Sequence, residues 1–273
     1  MSEFGSGTAA AGAPRGPTES STEADVTEDR LLNGRVRLKQ PTTGFRTGID
    51  AVFLAAAVPA RPGDKVLDVG SGTGAASLCL AARLAEVAVA GIDADRALVR
   101  LANANAEANG MTGRAEFFLG DLIHPPIRFA AASFDHVMAN PPYRPAGSGR
   151  VPANAGRARA TIEDKAKLDH WLRFCMIMAR PQATITLIYA ADRLDELLTA
   201  VSGRLGGLVV YPLWPGVGGK PAKRVLVCGR RSSQAPLALM PGLVLHRPDG
   251  SYTPQADAVL RGAEALSLTG DAS

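Results

Sequence analysis

The sequence predicts an α/β protein, a doubly wound and mostly parallel sheet of seven strands with helices on both faces. Three observations point there. After residue 60, short buried strand-like runs alternate with amphipathic helical runs. The first of those strands runs straight into a glycine-rich turn, Asp68-Val-Gly70-Ser-Gly72-Thr-Gly74, that opens a helix. Aspartates recur around the ends of the first three strands, at Asp68, Asp93 and Asp121, and sheets of this kind bind ligands beyond the carboxyl ends of their strands.

Residues 1–25 are mostly Gly, Ala, Pro, Ser and Thr. They carry too little bulky apolar surface to offset the entropy of ordering and are expected to form a disordered tail, in which Ser2-Glu3-Phe4-Gly5-Ser6-Gly7 has the composition of a cloning scar. Residues 26–266 are expected to fold as one domain, with an N-terminal cap segment over 26–60 and a C-terminal extension over 232–266. Lys65–Gly70 is a buried strand and the Ala/Leu-rich run Ala75–Glu86 a helix. Val87–Asp93 is the second strand, and Asp95, a natural N-cap, starts a helix reaching about Asn109. Phe117 and Phe118 lie in a third strand that ends at Gly120-Asp121, and Phe134–Asn140 is the fourth. Leu168, Trp171, Leu172, Cys175, Met176 and Ala179 recur at helical spacing ahead of the strand Ala183–Ala190. Leu194, Leu197, Leu198, Val201 and Leu205 mark another amphipathic helix. Leu208–Leu213 and Arg224–Cys228 are the two closing strands, joined by the Gly/Pro-rich Pro215–Pro221.

Composition removes several classes. With 46% apolar and 21% charged residues the chain is neither collagen-like, coiled-coil nor wholly disordered. The longest nearly apolar runs, Ala51–Ala60 and Ala183–Ala191, fall short of the roughly 18 residues a membrane span needs, and no secretory signal pattern opens the chain; a cytoplasmic location is expected. Cys79, Cys175 and Cys228 are too few and too scattered for a disulfide framework or zinc and are expected to fill the core. His124, His136, His170 and His246 show no metal-ligand spacing, so no metal site is expected. The 30 Lys and Arg against 26 Asp and Glu are unevenly spread: residues 1–29 hold one arginine and six acids, leaving a body with 29 basic against 20 acidic residues. Such a body suits a polyanionic partner and equally suits plain solubility.

The turn after the first strand reads Gly-x-Gly-x-Gly, with a carboxylate two residues ahead, not the Gly-x-Gly-x-x-Gly of dinucleotide loops. It resembles motif I of class I methyltransferases that use S-adenosylmethionine. That donor has no phosphate and carries an ammonium and a sulfonium, which a carboxylate matches. The resemblance implies that Gly70, Ser71, Gly72 and Gly74 line the donor, with Asp68 toward its methionine end. Asp93, ending the second strand, would accept bonds from the ribose hydroxyls, and Asp121 with Leu122 would contact the adenine. Asp121 equally fits a structural turn.

The fourth strand ends in Asn140-Pro141-Pro142-Tyr143. Two prolines fix an extended backbone without N–H donors, Asn140 adds a carbonyl acceptor and Tyr143 a flat apolar face. Acceptors, no donors and a ring form a clamp for a planar amino group, whose delocalised lone pair is freed when its hydrogens are held by acceptors. The motif resembles that of amino methyltransferases acting on adenine N6, and also that of protein glutamine N5-methyltransferases.

The resemblance extends further. Thr27–Gly34, the stretch Gln40-Pro-Thr-Thr-Gly44-Phe45-Arg46-Thr-Gly48-Ile-Asp50, and the later segments Pro241–His246 and Gly250–Thr253 are similar to the bacterial methyltransferases that modify adenine 37 of a valine tRNA at N6. It covers residues 26–262, with Ser71 standing where a cysteine is common. It implies a Rossmann-like class I methyltransferase with S-adenosylmethionine as cofactor, tRNA as partner, and Arg46 and Asp50 near the donor's methionine end; Asp50 equally suits a helix cap. Arg144, Arg150, Arg157 and Arg159 after the clamp, and Lys220, Lys223, Arg224, Arg230 and Arg231 near the last strand, are candidate phosphate contacts. Glutamine methylation and a non-catalytic donor- or RNA-binding role remain open alternatives, and a dehydrogenase is the weakest.

Overall fold

The computed structural model describes residues 26–43, 46–123, 129–142, 168–217 and 219–269. The chain opens with an antiparallel hairpin, β1 (Val26–Leu31) and β2 (Val36–Pro41), followed by α1 (Ile49–Ala57). Then come β3 (Lys65–Val69), α2 (Ala75–Arg83), β4 (Ala88–Asp93), α3 (Arg96–Ala108), β5 (Ala115–Leu119) and β6 (Phe134–Ala139). The second half holds α4 (Leu168–Met178), β7 (Ala179–Ala190), α5 (Leu194–Val201), β8 (Leu205–Trp214), β9 (Arg224–Arg231), β10 (Ala238–Leu239), β11 (Leu243–Val244) and α6 (Pro254–Leu260).

The central sheet runs β10-β8-β9-β7-β6-β3-β4-β5, with β11 also on β8. The seven expected strands are all present, β9 lying antiparallel between β7 and β8 and the others parallel. The sheet has nine strands instead of seven because the C-terminal extension lays β10 and β11 along the outer edge of β8. Two residues each, they carry no alternation for a sequence pattern to show.

Side-chain alternation divides the core into two faces. Val66, Met138 and Ile188 join α1, α2, α3 and α6 on one face, while Leu67, Val69, Val137, Ala139 and Leu187 join α4 and α5 on the other. Buried Cys79 and Cys175 sit one in each. α2 ends at Arg83, three residues before the expected Glu86. Among the described residues no helix is long and apolar enough to cross a membrane.

α3 does more than pack. Two of its asparagines, and the Asn109 that caps its C-terminus, each pair with both backbone groups of one strand residue. Asn103 takes Phe117 of β5, donating to its carbonyl at 2.9 Å and accepting from its N–H at 3.1 Å. Asn105 takes Lys39 and Asn109 takes Arg37, both on β2. Four residues of helix advance about 6 Å and two residues of strand about 6.7 Å, so amides at 105 and 109 fall opposite alternate rungs of β2. The hairpin is thereby docked onto α3 by side chains that imitate a neighbouring strand.

Candidate functional site

Register places the candidate residues at one rim. Val69 of β3 pairs with Ile92 of β4 on one side and Ala139 of β6 on the other. Gly70, Asp93 and Asn140 therefore leave three adjacent parallel strands at one level, with neighbouring strands about 4.8 Å apart. Asp121 follows β5 on the next strand over, where the Gly120 N–H donates to the Asp93 carbonyl at 3.0 Å.

The glycine loop is held from several sides. The Gly70 and Ser71 N–H groups donate to the Ile92 carbonyl at 2.8 and 3.0 Å, and the Gly74 N–H donates to the Ser71 carbonyl at 2.9 Å. Gly70, Gly72 and Gly74 all have positive φ, which a Cβ penalises. Only at Gly72 does the missing Cβ face open space; at Gly70 it would strike the Trp171 ring and at Gly74 the Phe117 ring. Packing against the two faces of the sheet thus accounts for the outer two glycines, and the middle one leaves its backbone open to a ligand.

Asp93 binds the loop as well as ending β4. Its Oδ2 accepts from the Gly72 N–H at 2.8 Å and its Oδ1 from the Asp95 N–H at 2.9 Å. Asp95 caps α3 as its sequence position suggested, accepting from the Ala97 and Leu98 N–H groups. Asp68 lies beneath the loop, 3% exposed, and accepts from the Ser77 hydroxyl at 2.7 Å. Burial pushes its carboxyl up to about 7, the nearby Asp93 charge adds to the rise, and the bonds from Ser77 oppose it. Ser71 Oγ and Thr73 Oγ1 on the loop, and Trp171 Nε1 beside it, are buried polar atoms without a hydrogen-bond partner. Such groups are expensive to leave unpaired, and around an open glycine backbone they fit a polar ligand.

The other candidates divide. Asn140 is half-buried and Pro141 buried at the end of β6. Asp121 is exposed and its Oδ1 accepts from the Ile123 N–H at 2.8 Å, the structural turn that its sequence position also allowed; half-buried Leu122 follows it. Arg46 pairs with Asp29 Oδ2 at 2.5 Å and with Thr27 Oγ1 at 2.6 Å, so it ties β1 to the approach to α1. Asp50, in the first turn of α1, pairs with Arg224 at 2.6 Å; the helix cap itself is Gly48. Tyr143, Arg144, Arg150, Arg157 and Arg159 lie outside the described residues.

The two sets of basic residues near β9 end up at opposite ends of the sheet. Lys220 and Lys223 are exposed on the β8–β9 connection at the rim, where the Lys223 carbonyl accepts from the Ala191 N–H just past β7. Arg230 and Arg231 do not join them. Arg230 pairs in register with Thr184 early in β7 and donates to the Gln182 carbonyl, and Arg231 donates to the Ala179 carbonyl, away from the rim.

Comparison with known proteins then fixes the family. Residues 46–155 match the model of the methyltransferase small domain. A tRNA1(Val) (adenine(37)-N6)-methyltransferase of Aeromonas hydrophila is 30% identical over 213 residues, covering 77% of this chain and 86% of that protein. One of the same name from Porphyromonas gingivalis is 28% identical over 235 residues, covering 81% and 89%. The chain belongs to the tRNA1(Val) (adenine(37)-N6)-methyltransferase family.

Solved structures agree on the fold of this tRNA1(Val) (adenine(37)-N6)-methyltransferase family member. A predicted O-methyltransferase, protein Atu636 from Agrobacterium tumefaciens, superposes with a TM-score of 0.67 at 24% identity, covering 80% of this chain and 98% of its own. The tRNA (m1A58) methyltransferase TrmI from Aquifex aeolicus superposes at 0.51 with 16% identity, covering 71% and 72%. The small-domain match in this family member takes in the glycine loop, Asp93, Asp121 and Asn140–Tyr143. Sequence reasoning missed Asn105 and Ser77, and it named Gln40 and Trp171 without giving them a place at the loop. A signal existed for the first: an Asn-x-Asn-x-x-x-Asn run inside a helix is unfavourable unless the side chains have partners.

Proposed function

We propose that this enzyme transfers the methyl group of S-adenosylmethionine to the exocyclic N6 amine of adenine in tRNA, with adenine 37 of valine tRNA as its substrate. The observation that supports it best is the pairing of Val69 with Ala139, which brings the glycine loop and the Asn140 corner side by side. The donor, when bound, supplies an electrophilic methyl group on a sulfonium. The Gly72 backbone and the polar atoms of Ser71 and Thr73 receive it. Asp93, which ends β4 beside the loop and accepts from the Gly72 and Asp95 N–H groups, accepts the ribose hydroxyls in this reading. Asp68 offers a negative charge toward the donor's ammonium from below the loop.

On the acceptor side, the Asn140 side-chain carbonyl and the Pro141 carbonyl accept the two N6 hydrogens. That draws the nitrogen lone pair out of conjugation and toward the methyl group. Neither proline has an N–H to compete for the lone pair. The amine proton leaves after the methyl arrives, so no strong base is required at the corner. In this reading Tyr143 supplies the stacking face. Adenine 37 sits in a loop, where turning a base out costs modest unstacking energy, and Lys220 and Lys223 at the rim contact backbone phosphates.

The deciding experiment incubates the protein with labelled S-adenosylmethionine and valine tRNA lacking the modification, followed by nucleoside mass spectrometry. N6-methyladenosine at position 37 is expected. No label in tRNA, together with label in a release-factor glutamine, would overturn the RNA reading in favour of protein methylation.

A further inference from the structure

We propose that Asn105 is a positioning residue for the methyl donor, locking the glycine loop to the N-terminal hairpin so that both walls of the donor site move as one body. The inference rests on the donor-site reading above. Asn105 is 0% exposed in the middle of α3. Its Oδ1 accepts from the Lys39 N–H at 2.9 Å, and its Nδ2 donates to the Lys39 carbonyl at 3.0 Å and the Thr73 carbonyl at 3.0 Å. One carboxamide therefore joins β2 to the loop between Gly72 and Gly74.

Both ends of that link lead to the site. On the loop, the Gly72 N–H is held by Asp93, so Asp93 and Asn105 pin the peptide groups on either side of the Gly72–Thr73 peptide, in the stretch of the loop whose glycine faces open space. On the hairpin, Lys39 precedes buried Gln40, whose Oε1 accepts from the Thr47 N–H at 2.7 Å and whose Nε2 donates to Asp29 at 2.7 Å. Asp29 in turn holds Arg46. The chain from Thr73 through Asn105, Lys39, Gln40 and Thr47 thus fixes where the segment leading into α1 stands relative to the loop.

The helix contains its own control. Asn109 makes the same two bonds to β2 through Arg37, at 2.8 and 2.7 Å, and its Nδ2 also donates to the Asn105 backbone carbonyl at 2.7 Å, but its side chain makes no bond to the glycine loop. A purely structural role for these amides makes any loss of donor affinity follow the loss of stability at both positions; a positioning role confines the affinity loss to Asn105.

The test measures S-adenosylhomocysteine binding to the full chain by calorimetry, without RNA, alongside melting temperature and hydrogen exchange of residues 70–78. Asn105→Ala is expected to weaken binding about tenfold, the effect of losing one buried hydrogen bond's ordering of the loop, and to speed exchange in the loop. Asn109→Ala is expected to lower the melting temperature comparably while changing affinity less than about twofold. If Asn105→Ala does not fold, Asn105→Asp replaces it, since it keeps the bond from the Lys39 N–H and removes both bonds to carbonyls. Equal affinity losses at the two positions, or none at 105, overturn the proposal. Absence of binding by the unaltered protein overturns the donor-site reading and the proposal together.

Discussion

The Trp171 ring occupies the space that a Cβ on Gly70 would need: the ideal Cβ stands 2.1 Å from Trp171 Cη2. A helix on one face of the sheet thus reaches up to touch the loop that follows β3, and the loop's first glycine is required by that contact as well as by its φ of 69°.

Gly70→Ala is accordingly expected to destabilise the protein by about 3 kcal/mol, combining overpacking with a left-handed alanine. In a Trp171→Ala background only the backbone penalty remains, so the same substitution is expected to cost about 1 kcal/mol. A double-mutant cycle by chemical denaturation measures the difference; additive effects would show that the ring does not set the requirement.

Donor binding is expected to change the fluorescence of Trp171, whose buried Nε1 has no hydrogen-bond partner beside the loop. Trp214 donates to the Pro241 carbonyl at the far edge of the sheet and serves as the reference. Titrating S-adenosylhomocysteine into Trp214→Phe should keep the signal, and into Trp171→Phe should abolish it. A signal that follows Trp214 refutes the assignment.

Asn140→Ala is expected to reduce kcat about 10²- to 10³-fold, as when one preorganised polar contact to a transition state is removed, with donor affinity within about twofold. Asp93→Ala is expected to do the reverse, weakening donor binding more than about tenfold, and also to lower stability because the Gly72 and Asp95 N–H groups lose their acceptor. Kinetics paired with calorimetry distinguish the two; matching profiles would dissolve the division between donor and acceptor sides.

Asp68 makes stability fall as pH rises. Its carboxyl sits at about 7 in the folded chain against an ordinary value of 3.8, so between those two pH values the folded state holds a proton that the unfolded chain has released. Unfolding free energy from this group therefore decreases through that window and levels off above it. An ammonium placed beside Asp68 favours the ionised carboxylate, so S-adenosylhomocysteine, which keeps the ammonium of the donor, should release a proton on binding near pH 6 and bind more tightly as pH approaches 7. Calorimetry in buffers of differing ionisation enthalpy detects the proton. Asp68→Asn is expected to remove both effects, and a proton release unchanged in that variant would assign the titration elsewhere.

Charge reversal at Lys220 and Lys223 should raise the KM for tRNA and reduce the salt slope of RNA binding by about one for each phosphate that is no longer neutralised, leaving donor affinity unchanged. Arg230→Gln, at the other end of the sheet, should leave RNA binding as it was. Filter binding across a salt series reads both, and an effect at Arg230 equal to that at Lys220 would argue for diffuse attraction instead of binding at the rim.

Much of this was legible in the sequence because periodicity and turn chemistry are local. The short buried run of Val66, Leu67, Asp68 and Val69, the three glycines and the Asp95 cap specify strand, loop and helix within a few residues of one another, and Asn140-Pro141-Pro142 marks its own corner. What was not legible depends on distant partners. Arg46 and Asp50 have the residue types of donor contacts, yet Asp29 and Arg224 pair with them only once the hairpin and β9 are in place. Arg230 and Arg231 look like neighbours of Lys223 along the chain, but a strand of eight residues carries them to the opposite end of the sheet. Asp68 shows its charge in the sequence and its burial only in the fold.

Open strand edges invite the strands of other polypeptides. Here the outward rungs at Phe117, Arg37 and Lys39 are closed by amides from a single helix, and β8 is sheathed by two fragments too short to recruit a partner themselves. Replacing those asparagines would leave backbone rungs unpaired at the borders of both the sheet and the hairpin, the kind of edge on which chains pair with one another.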